Sequence, residues 1–129
     1  MKYSLEYLNN KSLDSEEGTI VSESALDSLL LKLDAEKYVS LVFIHANTNI
    51  LTVSGGKQNY IVMYSDSNRF FELTNPANRG GERVHLRTGH TIGKFPSEMI
   101  IDPFTALNII KEFYKTGKRL PDLNWVPLN

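Results

Sequence analysis

Three histidines are the side chains best suited to acid–base or metal chemistry in this chain. His85 and His90 stand five apart with Arg87 between them, the set that a small hydrolase or nuclease would use. No glutamate nearby completes a HExxH arrangement, so a zinc site would need ligands from elsewhere in the fold. His45 ends an apolar run, where a hydrogen-bonded structural histidine is the expectation. Cysteine is absent, which excludes a thiol nucleophile, a dithiol redox pair, a cysteine zinc site and a disulfide framework.

Two glycine-containing stretches resemble phosphate loops only faintly. Gly55, Gly56 and Lys57 lack the four-residue spacer, and Gln58 stands where a Ser or Thr belongs, so they read as a hairpin turn. Thr116, Gly117 and Lys118 follow a helical segment instead of preceding one, so they read as a helix C-cap. The expectation is therefore a protein without catalytic residues, cofactor or metal.

The carboxylates are distributed more suggestively. Asp14, Glu16 and Glu17 cluster ahead of a helical segment, joined in sequence by Glu23 and Asp27, and Asp66 falls in a later turn. Charged residues are mostly exposed without special purpose, and a solvated surface accounts for such a cluster. The functional alternative is a surface that meets a basic cleft, where opposite charge steers association. Arg79 and Arg83, in a second polar segment, would suit a partner with an acidic rim. The whole chain carries 14 basic and 15 acidic residues, a near-balance that gives no global reason to bind nucleic acid directly.

These residues must be positioned by local elements. Residues 2–8 alternate Tyr3, Leu5 and Tyr7 with polar residues, the period of a half-buried strand, and polar residues 9–18 read as a surface loop. Residues 23–36 carry Ala25, Leu26, Leu29, Leu30 and Leu33 at helical spacing, with Ser22 or Ser24 as the cap. Residues 38–46 are apolar on both faces, as a central strand would be. A turn at 47–49 leads into a hairpin with strands at 50–53 and 60–64, followed by a strand at 69–74. Residues 75–82 read as a mobile loop, 83–87 as a strand and 88–93 as a turn. Asp102 caps a final helix that starts at Pro103, presents Ala106, Leu107, Ile110, Phe113 and Tyr114, and ends at Gly117. A short extended tail after Pro121 carries Trp125. The order argues for an α+β fold, one mainly antiparallel sheet of about six or seven strands with two helices packed on it. At 129 residues, with 41% apolar and 22% charged, one domain over residues 1–129 is the expectation.

The C-terminal third carries a resemblance. Phe95-Pro96, the run Ile101-Asp102-Pro103-Phe104-Thr105-Ala106-Leu107, and then Phe113, Thr116, Gly117, Pro121 and Trp125 resemble the Imm1 family of immunity proteins. In that family the last helix ends in a Phe-x-x-Thr-Gly-x-x-Pro-like stretch followed by a Trp. Here Leu120 intervenes between Arg119 and Pro121. The resemblance implies a bacterial protein that binds and neutralises a cognate toxin of a polymorphic or contact-dependent system by steric occlusion. The toxin would be a nucleic-acid deaminase or nuclease. A secretion chaperone or adaptor is a further alternative, one that binds its partner without blocking it.

The partner-binding residues expected on this reading are Asp14, Glu16, Glu17 and Asp66. Residues 1–10 lack the basic flank and unbroken apolar run of a signal peptide, and the apolar stretch 41–44 is far too short to cross a bilayer. A cytoplasmic location is therefore expected.

Overall fold

Residues 1–46 and 48–128 are described by the computed structural model. Asn47, placed by the sequence reading in a turn, lies outside them, as does Asn129. The strands β1 (Lys2–Asn9), β2 (Ser12–Thr19), β3 (Tyr38–His45), β4 (Asn49–Gly56), β5 (Asn59–Asp66), β6 (Arg69–Thr74) and β9 (Asn124–Pro127) form one antiparallel seven-stranded sheet. Its order is β2-β1-β3-β4-β5-β6-β9. A separate hairpin pairs β7 (Val84–Arg87) with β8 (Ile92–Phe95). The helices are α1 (Ser24–Lys32) and α2 (Pro103–Thr116). The α+β architecture follows the sequence pattern, and no helix among the described residues is long and apolar enough to cross a membrane.

Strand alternation decides what the helices cover. Leu5, Leu41, Val53 and Val62 share one register row, and Phe43, Leu51 and Tyr64 share another. These side chains pack against Leu26, Leu29 and Leu30 of α1 and Ala106, Ile109, Ile110 and Phe113 of α2. Period 2 in the strands and period 3.6 in the helices bring two apolar surfaces together. Lys111 with Asp27 and Lys115 with Glu23 link the two helices, at 3.8 and 3.9 Å.

Five local expectations are corrected. Residues 12–19 are strand β2, not loop; only the turn at Asn10, with φ 58°, interrupts the hairpin. Backbone pairing to β1 holds β2, a contribution invisible to hydropathy. Helix α1 stops at Lys32, and Glu23 stands at its N-cap with no side-chain hydrogen bond, since Ser22 and Ser24 bond to each other. Lys57 and Gln58, both at positive φ, make the β4–β5 turn. Gly55 and Gly56 belong to the strand, where a Cβ would lie 2.8 Å from Leu86 and 2.5 Å from the Leu33 carbonyl oxygen.

Residues 75–82, expected as plain loop, hold a short 3-10 turn at Pro76–Asn78, and Asn75 donates its N–H to the Glu98 carbonyl at 2.6 Å while Asn78 Nδ2 donates to the Ile100 carbonyl at 3.1 Å. Residues 92–95 form β8, which the reading of 88–93 as turn missed.

Candidate functional site

Asp102 accepts the Thr105 N–H at 3.0 Å, and Pro103 opens α2 without needing a donor. At its other end the C-terminal motif is built into the packing. Phe113 has no exposure and meets Tyr64 and His45 edge-on. Gly117 adopts φ 72°, and a Cβ there would lie 2.5 Å from His45 Nδ1, so both conformation and contact require glycine. Its carbonyl accepts Asn49 Nδ2 at 2.6 Å. Thr116 Oγ1 accepts the Lys118 N–H, tightening the cap. Pro121 starts the exposed turn before β9. Trp125 is half-buried; its Nε1–H donates to the Leu120 carbonyl at 2.9 Å and its ring meets Tyr64.

The proposed partner-binding carboxylates do not share one surface. Asp14, Glu16 and Glu17 lie on β2, an edge strand, whereas Asp66 ends β5, across β1, β3 and β4. Glu16 sits opposite Leu5, on the helix side of the sheet, while Glu17 sits opposite Ser4 on the other side. Charges on an edge strand also discourage pairing with a second chain. Asp14 accepts Asn9 Nδ2 at 2.8 Å. Asp66 accepts two guanidinium bonds from Arg69 and one from the Tyr64 hydroxyl, and the Arg69 bonds hold its carboxyl below the usual range. Asp66 is thus a paired carboxylate. Arg79 pairs with Glu98 at 3.3 Å, and Arg83 donates to the Lys94 carbonyl.

His85 and Arg87 project from the same side of β7, and Arg87 donates to the His90 carbonyl across the hairpin turn. Arg87 and His90 line an open groove of about 570 Å³ with Lys11 and Glu36. Among the described residues no group of three or more His, Asp and Glu is placed to hold a metal ion.

A feature the sequence reading missed lies on the sheet face away from the helices. The β7–β8 hairpin covers only one end of that face, where Ile61 packs with Leu86 and Ile100. Beyond it a register row runs Glu17, Ser4, Val42, Thr52, Met63, Glu72, Val126. The next row runs Lys2, Ile44, Ile50, Ser65, Phe70. Val42 and Ile44 are only half-buried, so the second face of β3 is closed at Ser40 but not along Val42 and Ile44, where burial was expected. Met63 and Val126 are 37% exposed and Phe70 50%.

Glu72 faces this strip without a cationic partner among the described residues; desolvation, and then the Glu98 charge, push its carboxyl above the usual range. The sequence signal was alternation itself: β3, β4, β5 and β6 carry apolar residues on both parities, more than two helices can cover.

Comparison of the chain with protein-family models and with curated proteins finds no match.

Proposed function

We propose that this chain is an immunity protein that neutralises a cognate protein toxin by seating it on the uncovered face of the sheet. The row from Glu17 to Glu72 carries the reading. It crosses five strand spacings in the order β2-β1-β3-β4-β5-β6, a span of about 24 Å. Carboxylates stand near both ends, with Val42, Thr52 and Met63 between them.

Apolar contacts in the centre of an interface exclude water, and charges at its rim steer and orient the partner. Such a row suits an apolar patch flanked by Lys or Arg, the surface that a nucleic-acid-directed toxin presents around its substrate path. The C-terminal resemblance to Imm1 immunity proteins points to the same class, and its residues Phe113 and Gly117 support the sheet from the opposite side. Inhibition then needs no catalytic group in this chain; covering the toxin's substrate path suffices.

The test is protection of cells producing the toxin encoded beside this chain. Met63→Lys combined with Phe70→Lys should abolish protection and toxin capture while the melting temperature stays near wild type. His85→Ala should leave protection intact. Full protection by the double lysine variant would sink the proposal, and turnover of RNA or DNA that depends on His85 would replace it with the hydrolase reading.

A further inference from the structure

On the helix side of the sheet, at the C-terminal end of α2, the chain forms a cleft of about 430 Å³ between β5, β6 and the segment leading into β9. Its central group is Arg119. The guanidinium carbon lies 3.8 Å from the centre of the Phe71 ring and 5.6 Å from that of Tyr64. Stacking on an aromatic face fixes a guanidinium while leaving its in-plane N–H donors available. Among the described residues Arg119 makes no hydrogen bond or ion pair with a carboxylate or carbonyl.

Lys118 lines the same cleft and is likewise without an ion pair among the described residues. The cleft's third cation, Arg69, is committed to Asp66 at 2.8 Å, and the Tyr64 hydroxyl donates to the same carboxylate at 2.9 Å. Asp66 thus has its hydrogen bonds filled by Arg69 and Tyr64, and Arg119 acts on it only through its nearby charge. Asp122 also lines the cleft and lowers its net charge. The Trp125 indole forms a further wall.

We propose that this cleft binds a phosphate-type oxyanion, with Arg119 as a two-pronged donor and Lys118 as the second charge. A tetrahedral dianion brings up to twice the charge of a carboxylate and more acceptor oxygens in different directions, so it gains more from a planar fork and a point cation together. The site does not depend on the toxin-binding reading, because it lies on the other side of the sheet from the Glu17–Glu72 row.

The experiment uses the ¹⁵N-labelled chain, with inorganic phosphate, methyl phosphate and acetate titrated at ionic strength held constant with sodium chloride. The Arg119 Nε–H and Trp125 indole N–H resonances should shift together and saturate with phosphate at lower concentration than with acetate. Equal affinity for methyl phosphate identifies an esterified phosphoryl group as the ligand, and binding of inorganic phosphate alone identifies the free ion.

Arg119→Lys keeps the charge but loses the fork, and should weaken binding roughly tenfold, the size of one charge-assisted hydrogen bond. Lys118→Gln, on an exposed side chain, should weaken it several-fold with an unchanged melting curve, and it decides the matter if Arg119→Lys does not fold. Linear shifts, shifts matched by acetate, or shifts untouched by these substitutions would overturn the assignment.

Discussion

The two faces of the seven-stranded sheet are carried by the same backbone and alternate residue by residue, yet they are buried to different extents. Phe43, Leu51, Val53 and Val62 have no exposure under the helices. Their chain neighbours Val42, Ile44, Ile50 and Met63 keep part of their surface in water. Burial stabilises by roughly 25 cal/mol per Å² of apolar area, so folding energy concentrates on the helix side. Apolar area left on the other side contributes fully only when a second molecule covers it. The difference teaches that one strand sequence can hold a fold with one parity and leave the other open, which is the face the proposed function assigns to a partner.

That comparison breaks most visibly through stability. Phe113→Ala, on the covered side, should cost about 3–5 kcal/mol in urea unfolding, as deleting a fully buried aromatic does. Met63→Lys, on the open side, should stay within about 0.5 kcal/mol of wild type. Similar losses for both would mean the faces are not distinct. Gly117→Ala should cost about 1–2 kcal/mol for the left-handed conformation alone, plus the contact with His45. Adding His45→Ala should recover only the contact part, which a double-mutant cycle measures.

A smaller effect comes from the α2 N-cap. The Thr105 side chain and N–H hold the Asp102 carboxyl below 3.8, so its stabilisation is present above that value and lost as pH falls through the lower folded value. Asp102→Ala should cost about 1 kcal/mol at neutral pH, and the deficit should shrink in acid unfolding series.

The smallest effect has the opposite sign and sharpens the comparison on the open face. Desolvation raises the Glu72 carboxyl above 4.5, so the folded state binds its proton more tightly than the unfolded chain does. The charged form therefore costs stability, and the cost appears as pH rises from 4.5 through the folded value. Glu72→Gln should stabilise slightly at neutral pH, by no more than about 0.5 kcal/mol, and the gain should vanish below pH 4.5. The same substitution should weaken toxin capture; a variant that is both less stable and fully protective would contradict the role given to Glu72.

Helix α2 was legible because its signals are local: Asp102 and Pro103 start it, the apolar stripe faces the sheet, and Gly117 ends it. Strand β1 was legible from Tyr3, Leu5 and Tyr7, and β9 from the extended tail around Trp125. Strand β2 was not, because Ser12–Thr19 offers little apolar periodicity; an edge strand gains its order from hydrogen bonds to β1, and any polar sequence can supply those. The placement of the acidic residues was not legible either. Their count is a property of the sequence, and Asp66 meets Arg69 and Tyr64 locally at the β5–β6 turn, but Asp27 and Glu23 reach lysines of α2 only after folding.

By itself the sequence determined the α+β class, the cap and stop of α2, and the glycine at position 117, since each depends on residues a few positions apart. Only the tertiary structure decided which parity of each strand the helices cover, and it alone set Glu17 and Glu72 in one row across the sheet. Pairing register between distant strands is fixed by the collective packing of a whole face, and a shift by one residue would exchange the faces. That non-local choice, absent from any short window of sequence, is what created the open surface.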